Sequence, residues 1–163
     1  MVKHAPVKMV DSATPGNIDR SAEVVAGYID GDYAWSLADW HRLPGQKVVI
    51  TVAGDVRANV ADVENGCMTP EQAAAWIDAK EKAARPEATI YCSRSDLPAV
   101  RAACAGRSCY FWVADWTGKP HEVAGTVATQ YTGDPHGGVD LSMVYSQEWL
   151  DVLEAANSPW PPW

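Results

Sequence analysis

Val60-Ala61-Asp62-Val63-Glu64-Asn65-Gly66 reads as a short buried strand that stops at a turn and carries two carboxylates at its end. Alternate residues of a strand share a face, so Asp62 and Glu64 point the same way, roughly 6–7 Å apart at the backbone, while Val63 points the other way. A rigid strand that holds two acids side by side lets one stay protonated and the other ionised, the division that hydrolysis of a glycosidic bond requires. Asp-x-Glu is common in isolation. It gains weight here because the other strand-like segments also end in acidic or aromatic residues.

Upstream, Lys47-Val48-Val49-Ile50-Thr51-Val52 is a nearly continuous β-branched run, typical of a strand buried on both faces. Before it come Lys8–Asp11 and Val24–Asp30, two strand-like segments that each end in Asp. Between these lie a turn at Thr14–Asn17 and a short helix predicted over 18–23. Ser36 is an N-cap for a helix over 37–42, stopped by Leu43-Pro44-Gly45.

Downstream, Thr69-Pro70-Glu71-Gln72 has the form of a capping box with proline at the first helical position. Its helix is predicted to reach about Ala84, before Pro86. A strand over 88–92, a helix over 95–105, strands over 109–115, 126–131 and 138–142, and a helix over 146–155 follow. The sequence therefore predicts an α/β fold, an irregular TIM-like (β/α) barrel with eight strands and a reduced number of helices. No helix fits between strands three and four, six and seven, or seven and eight. An open doubly wound sheet is the alternative, without a Gly-x-Gly-x-x-Gly or Walker loop to support it. The barrel is assigned to residues 1–156 and a Pro/Trp-rich tail to 157–163.

Composition narrows the function. The 163 residues make one domain, with ordinary hydrophobic (47%) and charged (21%) content. A net charge of −8 argues against nucleic acid, which needs a basic face. No apolar run approaches the length that spans a membrane, and Met1–Pro6 lacks the apolar stretch of a signal peptide. A site of action outside the cell then implies export by a lysis system or a virus particle, and otherwise a cytoplasmic location. Eight Trp and six Tyr against one Phe favour flat apolar faces with hydrogen-bonding edges, as sugar clefts do. Cys67, Cys92, Cys104 and Cys109 have no zinc spacing. Cys104 and Cys109 flank a turn that suits a small disulfide loop, with free thiols equally compatible. No cofactor or metal is expected, since no Asp-x-Asp-x-Asp-Gly loop is present.

In a parallel barrel the strand C-termini form the active face. That face collects Asp11, Asp30, Asp32, Asp55, Asp62, Glu64, Asp115 and Asp140, with Tyr28, Trp35, Tyr91, Trp112, Trp116 and Tyr131. Barrel closure brings strand eight beside strand one and Asp140 towards Asp11, and like charges at close range raise a carboxyl pKa. For Asp30, Asp32, Asp55 and Asp115 the ordinary role of turn and cap residue competes with a role in a site.

These residues, in this order, resemble the family 25 glycoside hydrolases, lysozyme-like muramidases. The resemblance covers roughly residues 8–145. It rests on Met9-Val10-Asp11-Ser12, Asp62-Val63-Glu64, Thr89-Ile90-Tyr91-Cys92-Ser93, Trp112-Val113-Ala114-Asp115-Trp116, Thr129-Gln130-Tyr131-Thr132 and Val139-Asp140-Leu141-Ser142. The chain looks still closer to compact glycoside-hydrolase-like domains of actinobacteria and their phages. The resemblance implies a protein acting at the bacterial cell wall on peptidoglycan, with a phage endolysin or virion setting. It implies Glu64 as the general acid, Asp62 assisting at the N-acetyl group or the developing charge, and Asp11 and Asp140 tuning both. Tyr28, Tyr91, Trp112, Asp115 and Tyr131 would bind substrate. The family's Gly-x-Asp-x-Ser form is absent at Asp11. That departure leaves a second expectation, a catalytically silent barrel used as a wall-binding or virion module, with Trp160–Trp163 docking a protein partner.

Overall fold

The structure, a computed structural model, describes residues 3–134, 136 and 138–161. Its strands are β1 (Val7–Asp11), β2 (Val24–Tyr28), β3 (Gln46–Thr51), β4 (Val60–Val63), β5 (Thr89–Ser93), β6 (Tyr110–Ala114), β7 (Ala128–Thr132) and β8 (Asp140–Val144). They close into one barrel in sequence order. Helices α1 (Leu37–Arg42), α2 (Pro70–Lys82), α3 (Leu97–Ala103) and α4 (Gln147–Ala156) complete the described elements. The expected α/β, TIM-like barrel with few helices is the fold observed.

The barrel is mixed rather than all-parallel. β1 to β7 run parallel, and β8 runs antiparallel to both β7 and β1. The 7 residues between Thr132 and Asp140 form a short connection, of a length that suits an antiparallel neighbour. Asp140 therefore opens β8 instead of ending it, and antiparallel pairing sets it opposite Asp11 at the same barrel end.

Strand alternation divides the apolar residues between two cores. Inside the barrel sit Met9, Val24, Ala26, Val48, Ile50, Val60, Tyr91, Trp112, Ala128 and Val144. Trp149, Leu150 and Leu153 of α4 join this set and plug the end opposite the strand C-termini. The plug is pinned by Trp149 Nε1 donating to Thr89 Oγ1 (2.8 Å) and Gln46 Nε2 donating to the Leu150 carbonyl (2.8 Å). The outer core packs Val25, Val49, Ala61, Val63, Ile90, Cys92 and Val113 against the helices.

The capping box predicted at Thr69 forms with Gln72 on α2, and the Ser36 N-cap of α1 proves to be a capping box too, with Asp39. The helix expected over 18–23 does not. A 3-10 turn at Pro15–Asn17 stands before it, and the Asp19 carboxylate accepts from the Ser21 amide, the side-chain competition that keeps Asp out of helix interiors. Trp160 folds back on its own barrel. Its ring lies 5.4 Å from that of Trp40, with the Lys47 ammonium 5.7 Å from its centroid. This self-contact is at odds with a tail free to dock a partner. Pro162 and Trp163 lie outside the described residues.

Candidate active site

The strand C-termini bring Asp11, Asp62, Glu64 and Asp140 to the barrel mouth. Asp11 ends β1 on the inward parity of Met9, and Asp62 occupies the inward parity of Val60. Both are buried, at 5% and 2% exposure. Glu64 lies just past β4 and is the exposed member. Asp140 is half-buried, and the Gly133 backbone passes so close that a Cβ there would lie 2.0 Å from its carboxylate.

Gln130 organises the group. Its amide nitrogen donates to both carboxylate oxygens of Asp11 (3.1 and 3.2 Å), and its carbonyl accepts from Tyr91 Oη and Trp116 Nε1 (2.9 Å each). Beside it, the β7–β8 register skips Tyr131. Such bulges re-aim side chains next to active sites.

Burial and mutual repulsion load the site with protons. Desolvation first, then Asp140, pushes Asp11 up to about 8 against the pull of Gln130. Desolvation and then Glu64 push Asp62 up to about 8. Desolvation also raises Glu64, against the opposing influence of Asp62 and then Tyr91. The two carboxyls are raised together and titrate as one pair that shares a proton. Asp140 is raised by burial.

A tight turn returns the chain to this pair. The Cys67 amide donates to the Glu64 carbonyl (3.0 Å), and the Met68 amide to that of Asp62 (3.0 Å). Gly66 takes φ +84°, and nothing lies within 4 Å of its missing Cβ, so the glycine serves the backbone and not the packing. The turn places Cys67 so that one ligand atom each of Asp62, Glu64 and Cys67 lie within 4.8 Å of one another. Cys92 goes elsewhere, into the outer core.

The other expected residues are dispersed by role. Tyr28 is half-buried at the end of β2, its hydroxyl held well above its ordinary pKa by burial and by Asp62, Asp11 and Glu64. Trp112 is 1% exposed and supports Tyr91 from below (ring centroids 4.7 Å apart), its Nε1 donating to Ser142 Oγ. It is floor rather than lining, a correction to its expected contact with substrate. Tyr131 is buried as well. Asp115 is bound by Arg94 (2.8 Å) and His121 (2.9 Å), and His121 followed by Arg94 holds its carboxyl below the usual range. Asp30 accepts from Thr51 and the Val52 amide, and Asp55 pairs with Arg57. The exposed rings near the mouth are Trp116 (51%), bonded to Gln130, and Tyr33 (61%), 6.3 Å from Tyr28. Gln130, Tyr33 and Cys67 are site neighbours that sequence reasoning passed over. Strand parity with Asp11 and Tyr91 was the available signal for Gln130 alone.

No protein-family profile and no curated protein sequence matches the chain. Solved structures do match in fold. A muramidase from Trichobolus zukalii is 11% identical, with 91% of this chain and 99% of that one covered and a TM-score of 0.58. A family GH25 lysozyme from Aspergillus fumigatus is 12% identical over 90% and 98%, with a TM-score of 0.52. The modular autolysin LytC from Streptococcus pneumoniae, solved with a synthetic peptidoglycan ligand, is 17% identical with a TM-score of 0.56. Coverage there is 85% of this chain but 46% of LytC, so this chain spans under half of that protein. The resemblance to family 25 is thus one of fold, and the four carboxylates stand at the mouth of that fold.

Proposed function

We propose that this protein is a lysozyme-type glycosidase that acts on peptidoglycan at the bacterial cell wall, with the Asp62–Glu64 pair as its acid. One observation carries the proposal: a buried carboxyl pushed up to about 8 shares its proton with an exposed carboxylate at the mouth of a muramidase-like barrel. Glu64 is the member a substrate reaches. A glycosidic oxygen seated against it excludes water, raises its proton affinity and draws the shared proton onto it. Transfer of that proton to the leaving oxygen breaks the C–O bond. Asp62, now without a proton, becomes the negative charge that stabilises the oxocarbenium-like sugar until water adds. Asp11, itself pushed up to about 8, stays uncharged beside the pair below that pH and is held in place by Gln130. Trp116 and Tyr33 supply exposed faces for sugar rings, and Tyr28 a hydroxyl at the mouth.

The silent-barrel reading drew on a free Trp-Pro tail, and the packing of Trp160 against Trp40 removes that support. Digestion of purified peptidoglycan followed by mass spectrometry of the soluble products is the test. Cleavage of the glycan strand by the wild type, reduced at least about 100-fold in Glu64→Gln, is the expected result. Wall binding without glycan cleavage would instead establish the silent barrel.

A further inference from the structure

Asp62 Oδ1 is buried and has no N–H or O–H donor among the described residues. Only a proton shared with Glu64, or a cation, can satisfy it. The nearest further donor is a thiol. The Gly66 turn folds Cys67 back so that ligand atoms of Asp62, Glu64 and Cys67 lie mutually within 4.8 Å. Donor atoms around one zinc-sized ion stand about 3–4 Å apart at bond lengths of about 2.0–2.3 Å, somewhat closer than the 4.8 Å within which these three lie. Nothing in the glycosidase chemistry uses the thiol.

We propose that Asp62, Glu64 and Cys67 form a binding site for a thiophilic divalent cation of the zinc class, which competes with the proton that the two carboxylates share. The donor set decides the class. Two carboxylates alone suit magnesium or calcium, but a thiolate selects zinc, cobalt or cadmium over those hard ions. Three protein donors leave the fourth position of a tetrahedral zinc site to water or another ligand. Binding must displace the thiol proton and the shared carboxyl proton, so affinity rises with pH. Burial, then Asp62 and Glu64, pushes the Cys67 thiol up to about 11, and a bound dication would oppose that effect. A metal held here occupies the group that serves as acid, so the same residues would be catalyst without the ion and chelate with it.

The test is titration with Co2+ followed by absorption, and it needs no enzymatic activity. A thiolate-to-cobalt charge-transfer band that saturates at one equivalent, is displaced by Zn2+ and is lost in Cys67→Ser is the expected result. Asp62→Asn should weaken binding at least about tenfold, and Mg2+ should not compete. Absence of the band in the wild type would overturn the proposal. So would a band that persists in Cys67→Ser, since it would then arise at Cys104 and Cys109.

Discussion

Gln130 turns neighbouring acids into an ordered site, since one amide serves Asp11, Tyr91 and Trp116 together. Gln130→Leu should leave those partners unsatisfied and lower unfolding free energy by about 1–3 kcal/mol, measured by chemical denaturation. Asp62 gives a sharper prediction. Its carboxyl titrates near 4 when unfolded and at about 8 when folded, so the native state binds the extra proton between those values. Stability contributed by that proton is full below about pH 4 and is lost as pH rises through about 8. Asp62→Asn should therefore flatten the fall of Tm with pH and raise Tm at the alkaline end. A fall of Tm as steep as in wild type would count against a proton held there. The sequence placed Asp11, Asp62, Glu64 and Asp140 at one site, because strand ends and parity are readable. It did not show how far these carboxyls are raised, because that depends on the burial of Asp62, which no local pattern encodes.

At the scale of elements, turns and caps were the most legible features. Ser36 and Thr69 announce their helices through local chemistry, and both boxes are present. Ser36→Ala should cost about 1 kcal/mol in equilibrium unfolding. The Gly66 turn is less obvious in sequence yet brings Cys67 to the carboxylates. Gly66→Ala should cost about 1–2 kcal/mol, because φ +84° is strained for any residue with a Cβ. Cys104 and Cys109 meet after α3, with the Cys109 thiol donating to the Cys104 sulfur. Mild oxidation should join them, detected as the matching mass loss and a raised Tm, while Cys67 and Cys92 remain free. The direction of β8 was the element misjudged. Its apolar pattern is the same in either direction, and connection length does not decide it, since 8 residues (52–59) join the parallel β3 and β4 and 7 (133–139) the antiparallel β7 and β8.

For the whole molecule, the sequence sufficed for an eight-stranded barrel, since the alternation of strands and capped helices is local. It did not show that α4 closes one end, since that depends on Trp149 meeting Thr89 across 60 positions of chain. With one end plugged by α4, the carboxylates stand at the opposite end of the barrel. The account rests on that mouth being an acid catalyst, and release of new reducing ends from purified peptidoglycan, followed from about pH 5 to about pH 9, tests it most directly. The account predicts release by the wild type that declines as the shared proton is lost near pH 8, and almost none from Glu64→Gln. Equal release by Glu64→Gln, or none from the wild type at any pH, would contradict it.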